Sequence, residues 1–227
     1  MKGRILSILL ILMISALGLT ACNVVKDKDY NATGTEYFEF TQREDGNYAI
    51  SAKAGAELPE KIKLPTEYNG SAVVEVKAEA FKSNKTIKEV IIPVGYEIIG
   101  SEAFAFCTKL STLNIGQYGG TSSVKTTIRN SAFKGCSVLT TVTLGENVTV
   151  VDSYAFYETM ITSLNSRGLT KIGACSFGNC DSLSTFYIPA SLVEIDENAF
   201  KGSDNVRFTV SDSNKKYTVE DGKIVTK

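Results

Sequence analysis

The chain has 227 residues with 24 basic and 25 acidic side chains, and it contains no histidine. Without an imidazole, no serine or cysteine nucleophile has its usual base and no His-containing zinc site can exist, and a near-neutral charge supplies no basic field for nucleic acid. Paired carboxylates such as Glu194 with Asp196 and Glu197 fall at outward positions and read as solvated surface, not as a glycosidase pair, while Asp212-x-Asn214 lacks the other ligands of a calcium loop. No catalytic residue, metal site or cofactor is therefore expected, and the chain is not expected to be an enzyme.

In chain order, Lys2 and Arg4 precede an apolar run, Ile5 to Leu17, which is too short to span a bilayer comfortably and reads as an export signal over residues 1–21. Leu19-Thr20-Ala21-Cys22 follows at once and looks like the lipobox of bacterial lipoproteins, which implies acylation of Cys22 and attachment to a membrane through lipid. Residues 22–35 are polar and aperiodic, as a flexible, disordered tether would be. Over 36–72 the alternation in EYFEF and NYAIS around Glu44-Asp45-Gly46, then Tyr68-Asn69-Gly70-Ser71, predicts a small N-terminal β cap.

From 73 to 210 the chain repeats itself. Six phenylalanines, Phe81, Phe104, Phe133, Phe156, Phe177 and Phe200, are separated by 23, 29, 23, 21 and 23 residues, a period that marks a solenoid. Each follows a small residue, and five places before each stands a branched apolar one: Val76, Ile99, Ile128, Val151, Ile172 or Ile195. Later in each unit come pairs at strand spacing, such as Val90 with Ile92, Leu113 with Ile115, Val142 with Leu144 and Phe186 with Ile188. A coil of this length cannot bury such a set alone, but stacked coils share one core and pair their strands in parallel. The unit before Phe133 carries six extra residues, assigned to a loop at Gln117 to Ser123 pushed out of the stack, and the unit after Phe156 is two short and reads as an irregular coil. Residues 211–227 carry Asp221-Gly222 between apolar runs, a C-terminal hairpin cap for a stack that would otherwise expose core and strand edge.

IGSEAFAFCTKLSTLNI and IGACSFGNCDSLSTFYIP together resemble the BspA-like, Treponema-type leucine-rich repeat of bacterial surface proteins. The resemblance implies a β-rich solenoid: a right-handed coil stack of about six leucine-rich repeats with parallel strands, β-hairpin caps closing both ends. It also implies a cell-surface lipoprotein whose repeat face binds a protein partner in adhesion or host interaction. Two alternatives stand beside it, a glycan-capturing surface lipoprotein and a structural or antigenic coat protein.

The outward columns of the repeat strands, Glu89, Thr112, Thr141 and Thr185 with Ile91, Asn114, Thr143 and Tyr187, form the expected binding face, nearly uncharged and rich in hydroxyls, with Tyr187 and Ile91 as its large groups. Cys107, Cys136 and Cys180 share a column of small, turn-bonding residues and are expected to be buried thiols; only Cys107 and Cys136 lie on consecutive coils, where a disulfide within the column would be possible. Cys175 belongs to a different column and is expected to be exposed.

Overall fold

A computed structural model describes residues 32–119, 122–164 and 167–227. The export signal, Cys22 and most of the tether lie outside the described residues. The chain forms a β-solenoid of parallel strands with almost no helix. Valine, isoleucine and threonine dominate the strands because branched side chains suit a pleated surface buried on one side.

Three walls enclose the core. The first is a long sheet in which Tyr48–Ala52, Ser71–Val76, Ile98–Ile99, Thr126–Ile128, Val148–Val151, Lys171–Ile172 and Glu194–Ile195 pair in parallel. Its register aligns Ile50, Val76, Ile99, Ile128, Val151, Ile172 and Ile195 as one inward column. The second wall holds the later strands: Lys61–Lys63, Glu89–Ile92, Thr112–Ile115 and Thr141–Leu144 form one parallel sheet, and Ser163–Leu164, Thr185–Ile188 and Arg207–Val210 another.

The third wall is made of turns. The phenylalanine rings stack face to face along it, Phe81 on Phe104 at 4.7 Å, then at 5.3, 5.2, 5.5 and 5.4 Å up to Phe200. Two residues before the phenylalanine, Glu79, Glu102, Ser131, Tyr154 and Cys175 are left-handed, as are Ser83, Phe106, Gly135, Glu158, Asn179 and Gly202 two residues after it. Left- and right-handed residues alternate, so the phenylalanine N–H and the N–H two places on both point to the next coil. In five coils running the phenylalanine N–H donates to the carbonyl before the next phenylalanine at 2.7 to 2.9 Å, and the second N–H donates to the carbonyl after it at 2.7 to 3.0 Å. The turns are thus knitted coil to coil as firmly as the sheets.

The stack starts one coil earlier than the sequence suggests. Ile50 and Ile62, inside the stretch expected to be only a cap, align with Val76 and Val90 in the two sheets. The first strand of the cap, Phe38–Gln42, pairs antiparallel with Tyr48–Ala52, and Phe38 lies edge-on to Phe81 at 6.2 Å, closing the ring column at that end. A neighbouring cluster of Phe40, Tyr48 and Tyr68 packs on the same cap. The end of the expected tether is ordered: Thr33 donates its N–H to Lys63 O and accepts the Lys63 N–H at its hydroxyl, both at 2.9 Å.

At the other end Tyr217–Glu220 and Lys223–Thr226 form the expected hairpin, its Asp221-Gly222 turn at φ 47° and 74°. Asn214 fastens it. This buried side chain donates to Pro189 O and Leu192 O and accepts from the N–H groups of Lys216 and Tyr217. The Tyr217 hydroxyl accepts the Ile195 N–H at the last strand of the long sheet.

Candidate functional site

The outward side of the second wall presents the expected columns in register. Lys61, Glu89, Thr112 and Thr141 align in one row, and Lys63, Ile91, Asn114 and Thr143 in the next. Glu89 is neutralised by Lys61 at 2.9 Å, which leaves the centre of this face to threonine and asparagine.

Two features differ from expectation. Ile91, expected to face solvent as an anchor, is 1% exposed although it lies outside the core cluster, so it is covered from the outer side. The described start of the inserted loop is not pushed away from the stack: the Tyr118 carbonyl accepts the Val94 N–H at 2.8 Å and the Tyr118 ring sits 5.7 Å from the ammonium of Lys63, the neighbour of Ile91 in its row. The second difference is a break in the face. The short coil after Phe156 offers only Ser163–Leu164, one position out of step, so Thr185 and Tyr187 belong to the three-stranded sheet with Arg207 and Thr209 and not to the ladder that carries Thr112, Asn114, Thr141 and Thr143. Tyr187 is half-buried and Thr185 exposed.

On the turn wall, sequence reasoning missed an aromatic ridge. Phe106 and Tyr154 are each 39% exposed and left-handed, a backbone state that costs a bulky residue energy. Lys134 stands 5.8 Å from the Tyr154 ring and 5.4 Å from the Tyr157 ring, beside a cavity of about 180 Å³ lined by both tyrosines, Cys175, Asn179 and Lys201. Cys175 is therefore half-buried in this cavity, not exposed as expected, because Tyr154 leans on it. The ridge follows from the left-handed turns, which composition could not announce, since glutamate and tyrosine are poor indicators of that conformation.

The remaining thiols are structural. Cys107, Cys136 and Cys180 are fully buried and free, and each donates to the carbonyl of the phenylalanine one coil back, Phe81, Phe104 and Phe156, at 3.1 to 3.2 Å. The adjoining Cys107 sulfur and burial hold the Cys136 thiol well above its ordinary range, and burial pushes Cys180 up. Neither is a nucleophile at neutral pH. Among the described residues no group of three or more Cys, Asp or Glu side chains could hold a metal, and no helix is long and apolar enough to cross a membrane.

A cavity of about 590 Å³ lies between the last coil and the C-terminal hairpin. Ile195, Phe200, Phe208, Tyr217 and Ile224 supply its apolar lining, with Asp196, Glu197, Asp204, Lys201 and Lys223 among the charged residues around it.

With the stacked coils, the turn wall and the outward face in place, the family profile described as the BspA type leucine rich repeat region matches residues 120–219 in six copies. Over those residues the repeats match the BspA type leucine rich repeat. The match starts after the coils of Phe81 and Phe104, which nonetheless continue the same ring stack and register. Among solved structures, the chain is similar to a T. pallidum leucine rich repeat protein at 23% identity and a TM-score of 0.54, covering 78% of this chain and 70% of that one. It is similar also to a leucine rich cell surface protein of Faecalibacterium prausnitzii, at 25% identity and TM-score 0.58, covering 87% of this chain. A leucine-rich repeat protein of Bacteroides ovatus matches at 22% identity and TM-score 0.58, covering 81% of this chain. The chain spans 59% and 53% of the length of the latter two. No curated protein sequence matches. At such identities the likeness establishes the fold.

Proposed function

We propose that this protein is a non-enzymatic cell-surface binding module, anchored through an acylated Cys22, that presents the outward side of its second wall to a protein partner. The carrying observation is the register: Thr112 beside Thr141 and Asn114 beside Thr143 on one rigid ladder, with Thr185 and Tyr187 continuing beyond the break. Such a face is ordered before binding, so a partner loses little affinity to immobilising it, and its hydroxyls and amide can pair with backbone or side-chain groups without desolvating charge. Tyr187 is the anchor, an amphipathic ring on a fixed strand. Support for surface exposure comes from the LTAC motif and from the description of the F. prausnitzii neighbour as a cell surface protein. Lipidation adds hydrophobic anchoring of about 0.8 kcal/mol per buried methylene.

The test is an array of host matrix proteins and polysaccharides, followed by affinity measurement on the protein captured. Tyr187→Ala combined with Asn114→Ala weakens that complex at least about tenfold, or about 1.4 kcal/mol, with an unchanged melting temperature. Capture of polysaccharide alone, or a double variant that binds like the parent, refutes the reading.

A further inference from the structure

The two ends of the stack are closed to different degrees. At the N-terminal end Phe38 lies edge-on to Phe81, and the carbonyl before it, Ala80 O, takes the Ala52 N–H at 3.1 Å. At the C-terminal end Phe200 is stacked on Phe177 through one face, Phe186 and Phe208 lie edge-on to it at 4.9 Å, among the described residues no second ring stacks on it, and it lines the cavity of about 590 Å³. Its N–H and that of Gly202 occupy the two positions that donate to the next coil in every earlier turn, yet among the described residues neither has a partner. Only the third donor of this turn is answered locally, the Asn198 N–H by Asp196 Oδ1 at 2.8 Å.

The repeat specifies what fits there. In each earlier coil the Phe N–H meets the carbonyl of the small residue before the next phenylalanine, as Phe177 meets Ala199, and the later N–H meets the carbonyl just after it, as Asn179 meets Lys201. Between those carbonyls the incoming ring stacks 4.7 to 5.5 Å away. We propose that the open end of the stack is a peptide-binding site that takes a small–aromatic–any segment of a partner chain, its ring on Phe200 and its two flanking carbonyls on the Phe200 and Gly202 N–H groups. The hairpin supplies the opposite wall through Tyr217 and Ile224.

The occupant belongs to another protein and not to this chain. Residues 1–31 contain one aromatic residue, Tyr30, and it follows Asp29 instead of a small residue. The exposed Phe106 has its preceding carbonyl, Ala105 O, already taken by the Ser83 N–H at 2.7 Å, so a second copy cannot offer it. This site is independent of the threonine-rich face, and variants there leave it intact.

The probe is a capped synthetic peptide copying residues 173–181 with Cys175→Ser and Cys180→Ser, titrated into isotopically labelled protein. The expected result is saturable amide shifts at Phe200, Gly202 and the hairpin Tyr217–Thr226, and at least about tenfold weaker binding when the peptide's phenylalanine is alanine or when the carbonyl before it is reduced to methylene. Phe200→Ala in the protein gives a similar loss. Because that change also touches the last coil's packing, Ile224→Trp serves as the second variant: it fills the cavity from the hairpin side and also blocks binding. Absence of shifts at Phe200 and Gly202 at millimolar peptide overturns the proposal. So does equal binding of the alanine or carbonyl-reduced peptide, or undiminished binding to Ile224→Trp.

Discussion

Phe133→Ala is the sharpest probe of how this solenoid is held. The ring is fully buried and lies between Phe104 at 5.3 Å and Phe156 at 5.2 Å, so its removal opens a cavity whose walls are other coils fixed on three sides. Truncating such a ring costs about 3 to 5 kcal/mol, to which each lost stacking partner contributes roughly 0.5 to 1.5 kcal/mol. Phe200 has a stacked ring on one face only and its other side lines the cavity, so Phe200→Ala leaves less of a void and costs about half as much. With a urea dependence of roughly 2 to 3 kcal/mol per molar, Phe133→Ala lowers the unfolding midpoint by about 1 to 2.5 M, and Phe200→Ala by about half of that. Far-ultraviolet circular dichroism in urea reads both. Equal losses at the two positions, or a loss below about 1 kcal/mol at Phe133, would show that the ring column does not carry the core.

Asn214→Ala removes a side chain with four hydrogen bonds and strands the Leu192 carbonyl and the Lys216 and Tyr217 N–H groups, so it costs about 2 to 4 kcal/mol, and native-state hydrogen exchange rises first across Tyr217–Glu220. Tyr118→Ala uncovers Ile91 and costs about 1 to 2 kcal/mol by thermal melting; a change within about 0.5 kcal/mol would mean that the loop does not lie on the face. In a Cys22→Ser chain, iodoacetamide reaches Cys175 in the native state, while Cys107, Cys136 and Cys180 react only after unfolding, as mass spectrometry of the alkylated peptides will report. The parent chain partitions into the detergent phase and the Cys22→Ser chain does not; equal partitioning of the processed form contradicts acylation.

The inward ladder was legible because burial constrains it at fixed spacing: every branched residue five places before a phenylalanine takes its expected place in the long sheet. The Asp221-Gly222 turn was legible too, since few residues accept left-handed geometry at both turn positions. The first coil was not. Ile50 and Ile62 are 12 residues apart where Val76 and Val90 are 14 apart, and no phenylalanine marks the unit, so its pattern reads as a hairpin. Ile91 misled because alternation places it outward, yet it is buried. The knitted turn wall was invisible for a different reason: its left-handed positions are imposed by hydrogen bonds to the neighbouring coil, which override the local preferences of Glu79, Glu102, Phe106 and Tyr154.

The central claim, that the outward side of the second wall is where a protein partner docks, is tested most directly by hydroxyl-radical footprinting of the protein alone and in complex with the unglycosylated partner found on the array. The account predicts that Tyr187 is labelled in the free protein and protected in the complex, while Phe106 and Tyr154 on the turn side keep their labelling. Unchanged labelling of Tyr187 together with protection of Phe106 and Tyr154 would place the partner on the turn wall and contradict it.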